Sequence, residues 1–222
     1  MSVKVTNQTH SRALVETTTL PDASQIGVTL VDNAGTTYDG ITYNNLLYTL
    51  SGTEWTTANT PMLTDVTGKA VAYYPYSNAA TDVTEIPVTF DAQTDYLYSG
   101  WEDADGINNA APTTTFVMKH ALSAVRLTLK RGSYSYTGEV TAASISSEGF
   151  GVEGSLDAST GEITGVTGNA AVTTAMNNDF TALTIPTLAT ESVNTLLMVV
   201  PVQGVAVDAV NGLGMDIEVT ID

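Results

Sequence analysis

Short runs of alternating apolar and polar residues are the main pattern along the chain. In the run SAVRLTLK, Val125, Leu127 and Leu129 fall on one face of an extended strand, and the run GMDIEVTID alternates in the same way. The same alternation predicts strands at Val3–Thr9, Ile26–Val31, Lys69–Tyr74, Glu85–Phe90, Thr113–Lys119, Val140–Ser146 and Val193–Val200. Thr, Val and Ile, whose branched side chains fit a pleated sheet, make up 69 of the 222 residues. The pattern therefore predicts an all-β protein.

Helical periodicity is weak throughout the chain, and its best stretch, TTAMNNDFTAL, is short. Many short strands separated by turns such as Asn211-Gly212 are typical of antiparallel β-sandwiches. The segment WEDADGINNAAPTTT is polar and rich in turn residues, and we place a domain boundary just after it, near Met118. The sequence thus predicts one sandwich that ends at residue 118 and a second at residues 119–222.

The charge of the chain excludes several classes of function. Seven basic residues against 24 acidic ones give a net charge of −17, and so few cations cannot form the basic stripe that nucleic acids require. Anionic lipid surfaces are disfavoured for the same reason. The sequence has no cysteine, which excludes disulfides, thiolate zinc sites and cysteine nucleophiles within it.

No complete catalytic or metal-binding motif is present. His120 begins an amphipathic strand without a nucleophile motif nearby, so we interpret it as a hydrogen-bonded packing residue rather than a catalytic base. Glu102, Asp103, Asp105 and Asn108 resemble part of a calcium loop but lack its distal bidentate glutamate. We interpret that segment as a solvated turn, and we predict neither a cofactor nor a metal.

The aromatic residues permit two interpretations. Trp55 and Trp101 lie in polar surroundings, where an exposed ring can stack on a sugar. The segment AYYPYS contains three tyrosines, and tyrosine is also a common half-buried strand residue with its ring in the core and its hydroxyl in water. We favour the structural interpretation for the aromatic residues.

Arg12 lies in the stretch QTHSRALVETTTL, whose small polar residues do not indicate a core. Its nearest carboxylate along the chain is Glu16, so the local sequence offers no obvious ion-pair partner. Arg12 is therefore either a surface charge without a role or a residue that another protein recognises.

The ordered motifs SRALVETTTLPDASQIGVTLVD, YDGITYNN, AVAYYPYS, TDYLYSG and MKHALSAVRLTLKRGSYSYTGEV resemble the fimbrillin family, the type V pilins of Bacteroidales-type anaerobes. They cover most of residues 3–145. The resemblance implies two transthyretin-like β-sandwich domains in tandem and a structural, non-enzymatic role in a fimbrium that supports adhesion. It also implies export as a lipoprotein precursor to the outer membrane, by a signal that this chain does not contain.

The resemblance further implies how such subunits assemble. In the family, an arginine-specific protease cuts an Arg-Ala bond after the first strand, and the bond between Arg12 and Ala13 matches it. Residues 1–12 would then be a leader whose strand, including Val3 and Val5, is displaced, and residues 13–118 would form the first mature domain. A donor strand from another pilin subunit would fill the vacated groove.

The sequence is compatible with more than one role. Family members continue past the DIEVTID strand into an extension that supplies the donor strand, whereas the printed sequence ends at Asp222, so a stalk and a tip role both remain. The adhesion ligand, a host glycan or protein, is not identified. The first alternative function is a surface glycan-binding module that uses Trp55 or Trp101, and the second is a glycosidase-type enzyme with paired acids about 5–10 Å apart.

Overall fold

The protein is all-β over the residues that its computed structural model describes. The backbone is described for residues 2–5, 19–35, 37–89, 94–129, 133, 135, 139–146, 151–167, 171–172, 183–184, 193–199 and 216–221, and side chains for 19–35, 37–89, 94–101, 106–122, 133, 135 and 151–167. This part of the chain contains strands and turns but no helix, which confirms the predicted all-β class.

Seventeen strands occur in the described residues. They are β1 Ser2–Val5, β2 Gln25–Asp32, β3 Tyr43–Ser51, β4 Glu54–Thr56, β5 Gly68–Tyr74, β6 Ile86–Thr89, β7 Leu97–Tyr98, β8 Glu102–Ile107, β9 Thr115–His120, β10 Ser123–Leu129, β11 Glu139–Ser146, β12 Glu153–Leu156, β13 Ile163–Thr167, β14 Ala171–Val172, β15 Leu183–Thr184, β16 Val193–Val199 and β17 Asp216–Ile221. The stretch TTAMNNDFTAL at 173–183, which has the best but still weak helical periodicity, lies almost entirely outside the described residues.

The largest sheet has eight strands in the order β1-β9-β7-β5-β2-β3-β4, and β8 also pairs with β5. Its centre is the antiparallel pair of β2 and β5, which runs from Gly27 opposite Tyr73 to Asp32 opposite Gly68. The other pairs of this sheet are antiparallel too, except that β1 runs parallel to β9.

The core of the first sheet follows from its two-residue alternation. Ile26, Val28 and Leu30 of β2 are at most 5 % exposed and belong to one buried cluster with Phe116 and Met118 of β9. A second sheet, in the order β13-β12-β6, contains the wholly buried Leu156 and Ile86. β2 is buried over nearly its whole length, whereas in β9 wholly buried residues alternate with more exposed ones.

The chain divides into two compact units. The first consists of residues 1–88, 95–121 and 154–165, and the second of residues 89–94, 122–153 and 166–222. A single boundary near Met118 does not describe residues 154–165, which return to the first unit because β12 pairs with β6.

The described part of the second unit contains two pairing groups. β10 pairs with β16 in antiparallel register from Ser123 opposite Val199 to Leu129 opposite Val193. β11 pairs with β14, β15 and β17, all antiparallel. The predicted strands at 140–146 and 193–200 correspond to β11 and β16.

Candidate strand-exchange site at the edge of the first sheet

β1 forms the edge of the eight-stranded sheet and has one neighbour, β9, among the described strands. The register pairs Ser2 with Thr115, Val3 with Phe116, Lys4 with Val117 and Val5 with Met118. The two strands are more than a hundred residues apart in sequence and run parallel, so no hairpin connects them. β1 is therefore held in place by its ladder with β9 and by the chain that leads to β2.

Buried and more exposed residues alternate along the part of β9 that pairs with β1, as the sequence pattern predicts. Phe116 and Met118 are 0 % exposed, whereas Thr115 is exposed and Val117 is half-buried. Further along, β9 pairs with β7 at Lys119 and His120. The register thus places the positions of Val3 and Val5 opposite the two β9 residues that are wholly buried.

The predicted cleavage bond and the end of the predicted leader strand lie outside the described residues. These are Arg12, Ala13 and residues 6–9; the predicted strand at 3–9 is described up to Val5. Their order along the chain is sufficient for one conclusion. Because Arg12 follows β1 and precedes β2, a cut after Arg12 separates β1 covalently from the rest of the protein.

His120 has a structural environment. Its Nδ1 lies 3.0 Å from Oδ1 of Asp95, and both side chains are almost fully buried, 2 % and 4 % exposed. Its Nε2 is buried without a hydrogen-bond partner among the described residues. The contact with Asp95 agrees with our interpretation of His120 as a hydrogen-bonded packing residue.

The two tryptophans have different surroundings. Trp55, on β4, packs against the core of the first sheet. The ammonium of Lys69 lies over the ring of Trp101, 5.0 Å from its centroid. Neither ring lines the apolar cavity that opens on this sheet.

The acidic segment after Trp101 is not the solvated turn that we expected. Residues Glu102–Ile107 form β8, which pairs with β5 through Gly68 opposite Ile107 and Ala70 opposite Glu102. The prediction was wrong because acidic residues have low strand propensity on average, whereas β5 pairs with β7 only at Tyr73 and Tyr74 and offers backbone partners at Gly68 and Ala70 that outweigh this propensity. Among the described residues, no group of three or more His, Asp or Glu side chains could hold a metal ion.

Hydrogen bonds of Tyr73 connect the tyrosine-rich segment to β3 and to the backbone of Ser77. The hydroxyl of Tyr73 donates to Oδ1 of Asn45 at 2.7 Å and accepts from the backbone N–H of Ser77 at 3.2 Å. Burial raises the pKa of Tyr73 to about 12, although the hydrogen bonds with Ser77 and Asn45 oppose that shift. This geometry supports the structural interpretation of the AYYPYS segment.

Sequence analysis missed a cavity of about 420 Å³ on the core face of the first sheet. The described residues that line it include no carboxylate. Its residues come from β2, β3, β5, β8, β9 and two loops, and no local motif marks such a scattered set. In the residues that were searched, no helix is long and apolar enough to cross a membrane.

The comparisons with known proteins agree with this architecture. A proposed cell adhesion protein of Bacteroides uniformis is 21% identical, with 99% of this chain and 80% of that chain covered and a TM-score of 0.61. A fimbrial protein of Bacteroides vulgatus is 16% identical, with 100% of this chain and 82% of that chain covered and a TM-score of 0.59. At sequence identities this low, the similarity to these two structures establishes the fold alone. No curated protein matches the chain.

The family comparison goes further than the fold. Residues 11–208 match the family described as fimbrillin-like, which is most of the chain and includes strands of both compact units. The chain therefore belongs to the fimbrillin-like family.

Proposed function

We propose that this protein is a structural subunit of a cell-surface fimbrium that supports adhesion, and that subunits join by strand exchange at β9. The position of β1 carries the proposal: a four-residue edge strand, parallel to β9, with no hairpin connection to its partner. Any extended chain with a suitable alternation can form the same ladder, because main-chain hydrogen bonds do not depend on sequence. Membership of the fimbrillin-like family supports the proposal.

The exchange needs a trigger, and Arg12 supplies it in this proposal. While the chain is intact, β1 stays at high effective concentration beside β9 and returns after each opening. A cut between Arg12 and Ala13 by an arginine-specific protease removes this advantage. The vacated edge exposes backbone groups and the flank of a buried apolar row, and an unpaired edge of this kind captures strands from other chains.

The proposed partners and location follow from this role. Other pilin subunits donate the strand, the maturation protease cuts the chain, and the mature subunit lies in a fimbrium at the outer membrane after export as a lipoprotein precursor. The two compact units would be the tandem transthyretin-like sandwiches of such a subunit. A structural role is also supported by the buried contact between His120 and Asp95.

Limited digestion of the intact protein with an arginine-specific protease tests the proposal. N-terminal sequencing should find Ala13 as an early new terminus, and sizing should then detect larger assemblies. The Arg12→Ala variant is the control, since it should show neither the cut nor the assemblies. Early cleavage at Arg126 or Arg131 instead, or normal assembly by Arg12→Ala, would contradict the proposed trigger.

A further inference from the structure

The cavity on the core face of the first sheet has the construction of a small-molecule site. Its volume is about 420 Å³, within the ~300–1,000 Å³ range that is usual for ligand pockets. Its floor is apolar and almost inaccessible to bulk solvent: Val28, Leu30, Ala70 and Phe116 are each at most 5 % exposed. Its mouth is formed by exposed residues, including Thr60 and Asn109.

Hydrogen bonds fix the loop that forms one wall of the cavity. The hydroxyl of the wholly buried Tyr38 donates to the carbonyl of Val66 at 2.7 Å and accepts from the N–H of Thr64 at 3.2 Å. The Tyr43 hydroxyl accepts from the N–H of Met62 at 3.0 Å. The cavity is therefore preformed, which lowers the entropic cost of binding.

A second part of the wall, which contains Asn109 and Pro112, is fixed in the same way. The N–H of Asn109 donates to the carbonyl of Thr64 at 2.7 Å, which joins the two parts of the wall directly. The side chain of Asn108 accepts from the N–H groups of Ala110 and Ala111, each at 2.9 Å, and so closes the turn that carries Asn109. Hydrogen bonds thus hold both parts of the cavity wall in place.

The chemistry of the lining selects the ligand. None of the described residues that line the cavity carries a charge, and the net charge of the chain is −17. An anion therefore finds no counter-charge on these residues and is repelled at long range. The half-buried Tyr48 contributes a hydroxyl that makes no hydrogen bond within the described part of the chain. Burial raises the pKa of Tyr48, so this hydroxyl stays protonated and can donate.

We infer that the cavity binds a neutral small molecule with an apolar ring or short chain in contact with Val28, Leu30 and Phe116 and one polar group near the hydroxyl of Tyr48. The cavity crosses the face of the sheet from β3 to β9, whereas the proposed strand exchange takes place along the edge of β9. Phe116 belongs to both places, but no observation that carries this inference depends on strand exchange, so either proposal can fail without the other.

Protein-observed NMR titration of the whole chain tests the inference with two probes of one ring system, neutral 1-naphthol and anionic 1-naphthoate. We expect saturable methyl shifts at Val28 and Leu30 with 1-naphthol and binding at least about tenfold weaker with 1-naphthoate, because the anion loses hydration without a counter-charge. Ala70→Leu should abolish the shifts by filling the floor. Ala79→Leu, the same change at an exposed position, should leave them intact.

Two further variants keep the test decisive. If Ala70→Leu does not fold, Leu46→Phe fills the cavity from a half-buried position and should also abolish binding. Tyr48→Phe should weaken 1-naphthol about three- to tenfold, and Tyr74→Phe, which lies outside the lining, should not. Equal binding of the two probes, binding that survives both filled variants, or methyl shifts that depend on protein concentration rather than on probe would overturn the inference.

Discussion

Cleavage at Arg12 should release β1 by dilution alone, and the magnitude can be worked from the ladder. Four register pairs at about 1 kcal/mol of net hydrogen bonding each give about 4 kcal/mol. Full burial of two valines would add about 4 to 5 kcal/mol. Fixing four residues opposes these terms by about 6 kcal/mol of backbone entropy. The net free energy of docking is then about 2 to 3 kcal/mol.

A docking free energy of this size keeps β1 bound while the chain is intact but lets β1 dissociate once the chain is cut. About 2.5 kcal/mol corresponds to one open molecule in roughly 70, so β1 of the intact chain is docked nearly all the time. A tether of this kind supplies an effective concentration on the order of 1 mM, so the cut strand would bind with a Kd on the order of 10 µM. At protein concentrations well below 10 µM, the cut strand should therefore leave.

The assay uses a fluorophore on the N-terminus and size-exclusion chromatography at about 0.5 µM protein, far below the Kd estimated for the cut strand. Before cleavage the label should elute with the protein, and after complete cleavage at Arg12 it should elute as a free peptide. Arg12→Ala treated with the same protease is the control. A label that stays with the fully cleaved protein at this concentration would refute the energetic reasoning.

Three further predictions concern the described core. Tyr38→Phe removes the hydrogen bonds of this hydroxyl with Thr64 and Val66 in the cavity wall. It should lower the free energy of unfolding by about 1 to 3 kcal/mol in denaturant titrations, and a comparable loss in Tyr74→Phe would contradict this cause. The pKa of Tyr73 is about 12 in the folded protein against 10.0 when unfolded, so its stabilising contribution is complete below pH 10 and is lost between pH 10 and 12. Burial also raises the pKa of Tyr48 and Tyr98, so absorbance titration should find several late tyrosines, and Tyr73→Phe should remove the latest of them. Uniform titration near pH 10 would contradict this prediction. His120→Ala removes the contact between the His120 ring and the buried carboxylate of Asp95, so it should lower the melting temperature. It should leave protease-triggered assembly unchanged when assembly is measured by size-exclusion chromatography. Loss of assembly in a variant that still folds would contradict the packing role of His120.

The alternation of apolar and polar residues in the sequence predicted the strands whose side chains are either buried at every second position or buried almost throughout. β2, β5 and β9 were found because their apolar residues face one core. β3 was missed because Tyr43–Leu47 and their neighbours are almost all half-buried, so the strand has no polar and apolar face to detect. β8 was missed because pairing with β5 overrides the low strand propensity of its acidic residues.

The site was only partly predictable for a related reason. The alternation around Val3 and Val5 predicts a strand, but a partner more than a hundred residues away in parallel orientation leaves no trace in the local sequence. The cavity is similarly non-local, since Val28, Tyr48 and Phe116 meet only once the sheet has formed. Contacts of this type follow from topology, which single-sequence periodicity does not contain.

Hydrogen exchange of β9 tests strand exchange most directly, because it observes the acceptor edge itself in three states. We expect the amides of residues 115–118 that β1 protects to be slow to exchange in the intact protein, fast in the cleaved monomer freed of β1, and slow again in the assembled fimbrium. The amides of β2, at the centre of the sheet, are the internal control and should stay protected throughout. Unchanged protection at residues 115–118 after release of β1, or fast exchange there in the fimbrium, would contradict strand exchange at β9.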